Sequence, residues 1–293
     1  MKPAPFSYRR PGTLQLALES LAGEPDAKVL AGGQSLIPLL SMRLAAPSML
    51  IDINALPDLD HVTTAADGVR VGALARHAAV LADQDAVRVQ PLLAKALANV
   101  AHSTIRNRGT SVGSLVHADA AAELPVVLRL LGGSLDVAST RGRRTIAAED
   151  LYVGLLETSL RHDEIAVEAF FPALALGEGV AFDEVARRHG DYAMCGVAAL
   201  VQVDGDRVVR ARAGYLSVSE VPTVIELTDA FSVAVDEESL AAAGEMALAG
   251  LDPQTDIHAS ADYRAQLVRV LTARVLRSAY DDARGRMLAR VER

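Results

Sequence analysis

The chain has 293 residues and a formal net charge of −8, from 29 lysines and arginines against 37 aspartates and glutamates. It is 51% hydrophobic with one cysteine. This excludes intrinsic disorder, an internal disulfide, and a four-cysteine zinc site or iron–sulfur cluster built by this chain alone. The acidic balance disfavours a nucleic-acid partner, and the absence of a signal peptide or membrane-spanning apolar stretch predicts a soluble chain of the cytoplasm.

The first 55 residues are predicted to form a small unit in which helices and strands alternate. Thr13 is a suitable N-cap for a first helix, and Gly23 follows its end. An apolar run before Gly32 and Gly33 is typical of a buried strand. The predicted elements are helix 14–21, strand 27–30, a helix that begins at Ser35 and is closed by Pro47, and strand 49–53.

The next region mixes strands and helices around one polar stretch. Its predicted elements are strand 69–72, helices 73–82 and 90–102, a loop rich in Gly, Ser and Thr over 106–114, helix 119–131, and strands 134–138 and 164–170. A loop around residues 172–179 then shows little periodicity. We therefore predict an N-terminal domain over residues 1–175, with subdomains of about 1–55 and 56–175, and a C-terminal domain over residues 176–293.

The C-terminal region begins with strands and ends with helices. Asp204-Gly205-Asp206 separates two apolar runs and predicts a β-hairpin. Ser260 stands where it can cap the last helix. The predicted elements are strands 196–203 and 208–218 and helices 238–248 and 261–284. Because no βαβ repeat is sustained along the chain, the predicted fold class is α+β.

Two glycine-rich segments are candidates for binding phosphate groups. The first is Ala31-Gly32-Gly33-Gln34-Ser35 and the second runs from Arg106 to Ser114. Such loops present backbone N–H groups to an anion, and glycine permits its close approach. Each also fits an ordinary tight turn or a solvated polar loop. Neither matches the dinucleotide or P-loop fingerprints, and two such loops about 75 positions apart suit a diphosphate such as that of FAD.

Several segments, taken together, resemble the FAD-binding medium subunit of the molybdenum hydroxylases, the family of carbon monoxide dehydrogenase and xanthine dehydrogenase. The similar segments are residues 29–44 with 51–53, residues 105–125, residues 190–199 and residues 256–264. They follow in the family's order and at suitable spacing over nearly the whole chain. The resemblance implies a two-part FAD-binding domain of the vanillyl-alcohol oxidase-like type, followed by a smaller α+β domain.

The resemblance also implies how FAD is held. The diphosphate-binding residues implied are Ala31, Gly32, Gly33, Gln34 and Ser35 in the first loop, and Thr110, Ser111, Val112, Gly113 and Ser114 in the second. The family's second loop is commonly Thr-Ile-Gly-Gly-Asn. This chain departs from it at Ser111, Val112 and Ser114, which affects close backbone approach at Val112 and the polar contact at Ser114.

Further positions match the family's cofactor contacts. Glu123 matches an acidic residue that receives ribose hydroxyls, and Lys28 a basic residue that precedes the first loop in some relatives. Tyr192 matches an aromatic neighbour of the isoalloxazine ring, although an ordinary core tyrosine is the alternative. Apolar contacts to the flavin or adenine are implied at Val100, Leu160 and Ile165, which composition alone would place in the core.

The function implied is an oxidoreductase subunit that transfers electrons and carries no catalytic acid, base or metal ligand of its own. It would take electrons from two [2Fe–2S] clusters on a small subunit, which receives them from a molybdopterin-containing large subunit, and pass them from FAD to an external acceptor. The implied assembly is a dimer of heterotrimers. Two alternatives remain, a self-sufficient FAD-dependent oxidase or reductase and a scaffold subunit that has lost its flavin.

Overall fold

The computed structural model describes residues 2–231 and 235–291. The chain begins with a three-stranded sheet in the order β1-β3-β2, whose strands all run parallel. Parallel neighbours need a crossover between them, and two helices provide it. The elements are β1 Ser7–Arg9, α1 Leu14–Ala22, β2 Ala27–Leu30, α2 Leu36–Met42 and β3 Met49–Asp52. The central strand β3 is buried along its whole length.

Local signals predicted the start of this unit and missed one helix end. The Thr13 hydroxyl accepts the Leu16 N–H at 3.3 Å, so the predicted cap of α1 is confirmed. Helix α2 ends at Met42, well before Pro47, because Arg43 adopts left-handed backbone angles with φ of 59°. The Arg43 N–H donates to the Leu40 carbonyl at 3.1 Å, so the helix is C-capped without a glycine.

The second region is built on a five-stranded antiparallel sheet in the order β4-β5-β10-β6-β7, with a separate β8-β9 hairpin. Seven helices lie between these strands in the chain. The elements are β4 Val62–Ala65, β5 Gly68–Gly72, α3 His77–Ala82, α4 Gln84–Val89, α5 Pro91–Leu97, α6 Ser103–Arg106, α7 Ser111–His117, α8 Glu123–Leu131, β6 Ser134–Ser139, β7 Gly142–Ala147, α9 Ala148–Leu151, β8 Tyr152–Gly154, β9 Glu157–Thr158 and β10 Ile165–Pro172.

The predicted strands of this region are confirmed, whereas its three predicted helices are all shorter. They are His77–Ala82 for 73–82, Pro91–Leu97 for 90–102 and Glu123–Leu131 for 119–131. The predicted helix over 90–102 stops at Leu97, and Ala101 takes a left-handed conformation with φ of 43°. The polar stretch predicted as a loop contains the start of α7, because the Thr110 hydroxyl accepts the Gly113 N–H at 3.1 Å. Thr110 is therefore an N-cap, which the loop prediction did not anticipate.

The C-terminal region is an antiparallel sheet in the order β11-β12-β13-β14, followed by two long helices. The elements are β11 Glu178–Ala186, β12 Ala193–Asp204, β13 Arg207–Leu216, β14 Thr223–Glu226, a 3₁₀ helix Thr228–Ala230, α10 Glu237–Ala249 and α11 Ala261–Val291. The predicted hairpin is confirmed, since Asp204 pairs with Arg207 and leaves Gly205 in the turn with φ of 61°. Strand β11 was not predicted.

The C-terminal sheet is covered on both faces. On β12, Cys195 and Val197 belong to the core shared with α11, while Ala198 and Leu200 belong to the core of the N-terminal region. Glycines permit close packing on each face: a Cβ on Gly179 would lie 2.1 Å from the backbone nitrogen of Ala283, and one on Gly214 2.6 Å from Val126. This sheet therefore joins the two hydrophobic cores.

No helix in the described part of the chain is long and apolar enough to cross a membrane.

Replacing Gly179 by alanine should force α11 away from β11, because the new methyl group would meet backbone atoms that cannot rotate aside. We expect a loss of about 3 kcal/mol in the free energy of unfolding, the upper end for overpacking, measured by urea denaturation. Gly285→Ala is the control. Gly285 lies on α11, the same helix as Ala283, and no atom lies within 4 Å of its Cβ position. Gly285→Ala should stabilise the chain by about 0.5–1 kcal/mol through helix propensity. Equal stabilities of the two variants would contradict this packing.

Candidate functional site

The two glycine-rich segments, far apart in sequence, touch through their backbones. We call residues 31–35 the first loop and residues 106–114 the second loop. A Cβ on Gly32 would lie 2.5 Å from the Arg108 carbonyl oxygen and 2.8 Å from the Gly109 Cα. Only glycine allows this approach without moving one loop. The structure therefore brings the two predicted phosphate-binding segments together on one side of the N-terminal region.

Several backbone N–H groups at this junction have no acceptor within the described residues. The N–H groups of residues 32–35 make no such bond, and neither do those of Thr110 and Val112. Unpaired backbone donors are uncommon in folded chains and call for an acceptor from water or a ligand. A diphosphate presents several anionic oxygens to such donors. The junction therefore fits the diphosphate of FAD.

The first loop holds its shape through contacts of its own. The Gln34 side-chain amide donates to the Gly32 carbonyl at 3.0 Å, and Gly33 has a positive φ of 71°. Ser35 occupies the N-cap position of α2, but its side chain makes no cap bond. Its hydroxyl is therefore available to another group. Lys28 lies exposed on β2, ahead of this loop.

The second loop is more deeply set than the first. Thr110, Ser111 and Val112 are each no more than 3% exposed, while Gly113 and Ser114 are partly exposed. The Val112 side chain belongs to the hydrophobic core, so the residue that departs from the family's glycine is accommodated by packing. Contact between the second loop and FAD stays a prediction.

His77 contacts the second loop through its side chain and its backbone. Its Nδ1 lies 3.3 Å from the Ser111 hydroxyl, and its backbone N–H donates to the Gly109 carbonyl at 3.0 Å. Burial, with a smaller effect of the nearby Arg106 charge, lowers the pKa of His77 to about 4. The imidazole is therefore neutral at physiological pH and serves as a hydrogen-bonding support. The sequence reasoning did not anticipate this residue.

The third family-like segment packs against Ala101, five residues before the second loop. A Cβ on Gly190, which has a φ of 77°, would lie 2.7 Å from the Ala101 carbonyl oxygen. Tyr192, two residues further on, is 63% exposed. It is thus not an ordinary core tyrosine, and an exposed aromatic ring is available for stacking. Val100, next to Ala101, is partly buried and packs against the core.

Two acidic side chains share a poorly solvated environment near Tyr192. Glu123 is the first residue of α8, and burial together with the charge of Glu184 raises its pKa to about 8. Burial, with a contribution from Asp183, also raises the pKa of Glu184 to about 7. One Glu184 carboxylate oxygen has no partner within the described residues. In either protonation state a Glu123 oxygen can accept a hydrogen bond from a hydroxyl group.

The remaining predicted residues have packing roles in this structure. Ile165 on β10 is 1% exposed, and Leu160 is partly buried against the same core. Their contact with a cofactor stays a prediction.

Cys195 is fully buried, and burial raises the pKa of its thiol to about 12. It is therefore an unreactive packing residue, as predicted. In residues 2–231 and 235–291, no three side chains of the His, Cys, Asp and Glu types gather as metal ligands.

Comparisons with known proteins cover almost the whole chain. A family model described as the FAD binding domain in molybdopterin dehydrogenase matches residues 4–174, and one described as the CO dehydrogenase flavoprotein C-terminal domain matches residues 180–279. The chain is 42% identical to the 6-hydroxypseudooxynicotine dehydrogenase complex subunit alpha of Paenarthrobacter nicotinovorans, over 97% of each chain. It is 39% identical to the nicotine 6-hydroxylase medium subunit of the same organism, over 94% of this chain and 98% of the relative.

A solved structure shows the same fold. The crystal structure of quinoline 2-oxidoreductase from Pseudomonas putida 86 superposes with a TM-score of 0.91 at 40% sequence identity. The match covers 97% of this chain and 100% of that one.

The raised pKa of Glu184 predicts that the chain loses stability as pH rises. Above the unfolded value near 4.5, the folded chain holds a proton on Glu184 that the unfolded chain releases, so stability falls between about pH 4.5 and pH 7. Glu184→Gln should therefore be more stable than the parent chain by about 1–2 kcal/mol at pH 8, and equal to it at pH 4.

Thermal unfolding at both pH values measures this difference. Glu220→Gln, on an exposed position, is the matched control. A stabilisation by Glu184→Gln that is the same at pH 4 and pH 8 would refute the electrostatic explanation.

Proposed function

The chain belongs to the FAD-binding medium subunits of the molybdenum hydroxylase family, and we propose that it is the subunit through which electrons leave the complex. Membership makes it an oxidoreductase subunit and confirms the family resemblance and the α+β, two-part architecture that its motifs predicted. The observation that carries the proposal is the contact between the two loops, with a row of unpaired N–H groups beside it.

Bound FAD would accept and donate electrons, one or two at a time. The first loop would bind the diphosphate through the N–H groups of residues 32–35, and the second loop through those of Thr110 and Val112. Glu123 would hold the ribose hydroxyls. Tyr192 would lie beside the isoalloxazine ring, where its exposed position would limit which acceptors reach the flavin.

The remaining proposed cofactor contacts come from side chains around these loops. Val100, Leu160 and Ile165 would line the apolar side of the site, and Lys28 would add a positive charge ahead of the first loop. Ser114 would contribute its hydroxyl in place of the family's longer asparagine. These residues position the cofactor and exclude water; none of them acts as a general acid, a general base or a nucleophile.

Electron entry is assigned to partner chains. This chain has one cysteine, which is fully buried, so thiolates for an iron–sulfur cluster must come from elsewhere. We assign two [2Fe–2S] clusters to a small subunit and the molybdopterin cofactor to a large one, in a cytoplasmic dimer of heterotrimers. The relatives' names support a multi-subunit assembly, since one is a complex subunit and another a medium subunit. An external acceptor would then reoxidise FAD.

Substrate choice is assigned to the large subunit. Relatives named for nicotine, for a nicotine derivative and for quinoline resemble this chain at 39–42% identity over nearly its whole length. Because chains similar to this one over nearly its whole length occur in proteins named for different substrates, we place substrate selection on the large subunit.

Anaerobic mixing tests the electron route. The FAD-loaded chain is mixed with the [2Fe–2S] subunit of its complex, which has been reduced with dithionite and desalted, and flavin absorbance near 450 nm is followed by stopped flow. We expect rapid bleaching. The Gly32→Ala chain should bind FAD at least about tenfold more weakly, because its Cβ would push the loops apart. At an FAD concentration that saturates only the parent chain, it should carry little flavin and leave the clusters reduced.

The control is Gly12→Ala, which has open space around the Cβ position and should behave like the parent chain. Bleaching of the flavin by quinoline alone, without partner subunits, would instead indicate a self-sufficient enzyme. A chain that takes up no added FAD would be the flavin-less scaffold.

A further inference from the structure

Arg76 links the two loops although it belongs to neither. One terminal nitrogen of its guanidinium donates to the Arg108 carbonyl at 2.8 Å, and the other donates to the Asn54 side-chain oxygen at 2.6 Å. The Asn54 amide nitrogen in turn donates to the Ala31 carbonyl at 2.8 Å. A continuous chain of hydrogen bonds thus joins a carbonyl of the first loop to a carbonyl of the second.

Asn54, one of the two side chains that form this chain of hydrogen bonds, is itself held in place. The Asp52 Oδ1 atom accepts two hydrogen bonds from Asn54, one from its backbone N–H at 2.8 Å and one from its side-chain amide at 2.7 Å. The other Asp52 oxygen accepts the Tyr8 hydroxyl. Burial opposes ionisation of Asp52, but the hydrogen bonds from Tyr8 and Asn54 outweigh it and lower the pKa of the carboxyl. A charged Asp52 therefore orients the Asn54 side chain.

The backbone around Arg76 is fixed to the second loop. Arg76 forms an antiparallel bridge with Thr110, and the Ser111 N–H donates to the Ala75 carbonyl at 3.2 Å. The Arg76 backbone thus moves with the second loop, while its side chain contacts Asn54, which bonds the first loop. Burial and the charge of Arg108 lower the pKa of the guanidinium, but an arginine stays protonated in proteins, so its donors remain available to both acceptors.

We propose that Arg76 and Asn54 form a clasp, a pair of positioning residues that sets the spacing and orientation of the two FAD-binding loops. A peptide unit is planar and trans, so its C=O and N–H groups point in opposite directions. Holding the Ala31 carbonyl toward Asn54 therefore turns the Gly32 N–H to the opposite side, where it lacks an acceptor within the described residues. The clasp preorganises this donor before FAD arrives.

The clasp depends on the shape of arginine. The guanidinium presents its two terminal nitrogens to two acceptors in fixed directions, whereas a lysine ammonium is a single point on a flexible stem. A positive charge alone is thus insufficient to bond both acceptors of the clasp. This proposal rests on the proposed FAD binding, but the clasp itself is a property of the chain without FAD, and the two can be tested apart.

The test compares full-length Arg76→Met, Arg76→Lys and Asn54→Ala chains and the Arg76→Met/Asn54→Ala double variant with the parent. Arg70→Met is the control, because Arg70, on β5, also donates from both terminal guanidinium nitrogens, but to Asp67 and not to a loop residue. Hydrogen exchange of the loop amides is measured without FAD, and FAD affinity is measured by titrating flavin fluorescence. Thermal unfolding confirms that each variant is folded.

In Arg76→Met and Asn54→Ala we expect exchange to quicken at least about tenfold at the hydrogen-bonded amides of Gly109 and Ser111 in the second loop. FAD should bind about 10–100-fold more weakly. Arg76→Lys should resemble Arg76→Met. The double variant should be no weaker than the worse single variant by more than about threefold, since either change opens the same clasp. Arg70→Met should match the parent in both measurements.

Three results would overturn the clasp. They are unchanged loop exchange in Arg76→Met, parental FAD affinity in Arg76→Lys, which would assign the role to charge, and fully additive losses in the double variant, which would make the two residues independent. A parent chain that binds no FAD would overturn the proposed function instead, while the exchange data would still decide whether the clasp exists.

Discussion

Close contact between two backbone segments, Gly32 on one side and Arg108 with Gly109 on the other, is the constraint on which the candidate site depends. It places unpaired N–H groups from both segments on one side of the N-terminal region. Within the described residues these N–H groups have no acceptor, so water or a ligand must pair with them. The arrangement fits an anionic group, as the proposed FAD site requires.

The surrounding fold serves to hold that junction still. The parallel sheet β1-β3-β2 carries the first loop at the end of β2, and the antiparallel sheet supports the second through α7. The C-terminal sheet contributes to both cores, so the segment with Tyr192 is tied to the same framework through Gly190 and Ala101. The single, fully buried cysteine leaves this chain without the several thiolates that an iron–sulfur cluster needs.

Much of the fold could be predicted because its signals are local. The Thr13 cap and the hairpin at Gly205 each depend on a few neighbouring residues, and both were confirmed. The end of α2 at Arg43 and the break at Ala101 could not be predicted, because ordinary residues there adopt left-handed conformations that only tertiary contacts can enforce. Strand β11 was missed because its alternation is obscured by half-buried polar residues.

The candidate site was predicted only in part, for a related reason. Glycine-rich motifs and the family resemblance pointed to the two loops, but composition gave no sign of Asn54, Arg76 or His77, whose roles come from contacts across more than 20 positions of sequence. The most direct test of the account is a crystal structure of the chain with FAD. The account predicts diphosphate oxygens within hydrogen-bonding distance of the N–H groups of both loops. A diphosphate bound away from the junction, or held by one loop alone, would contradict it.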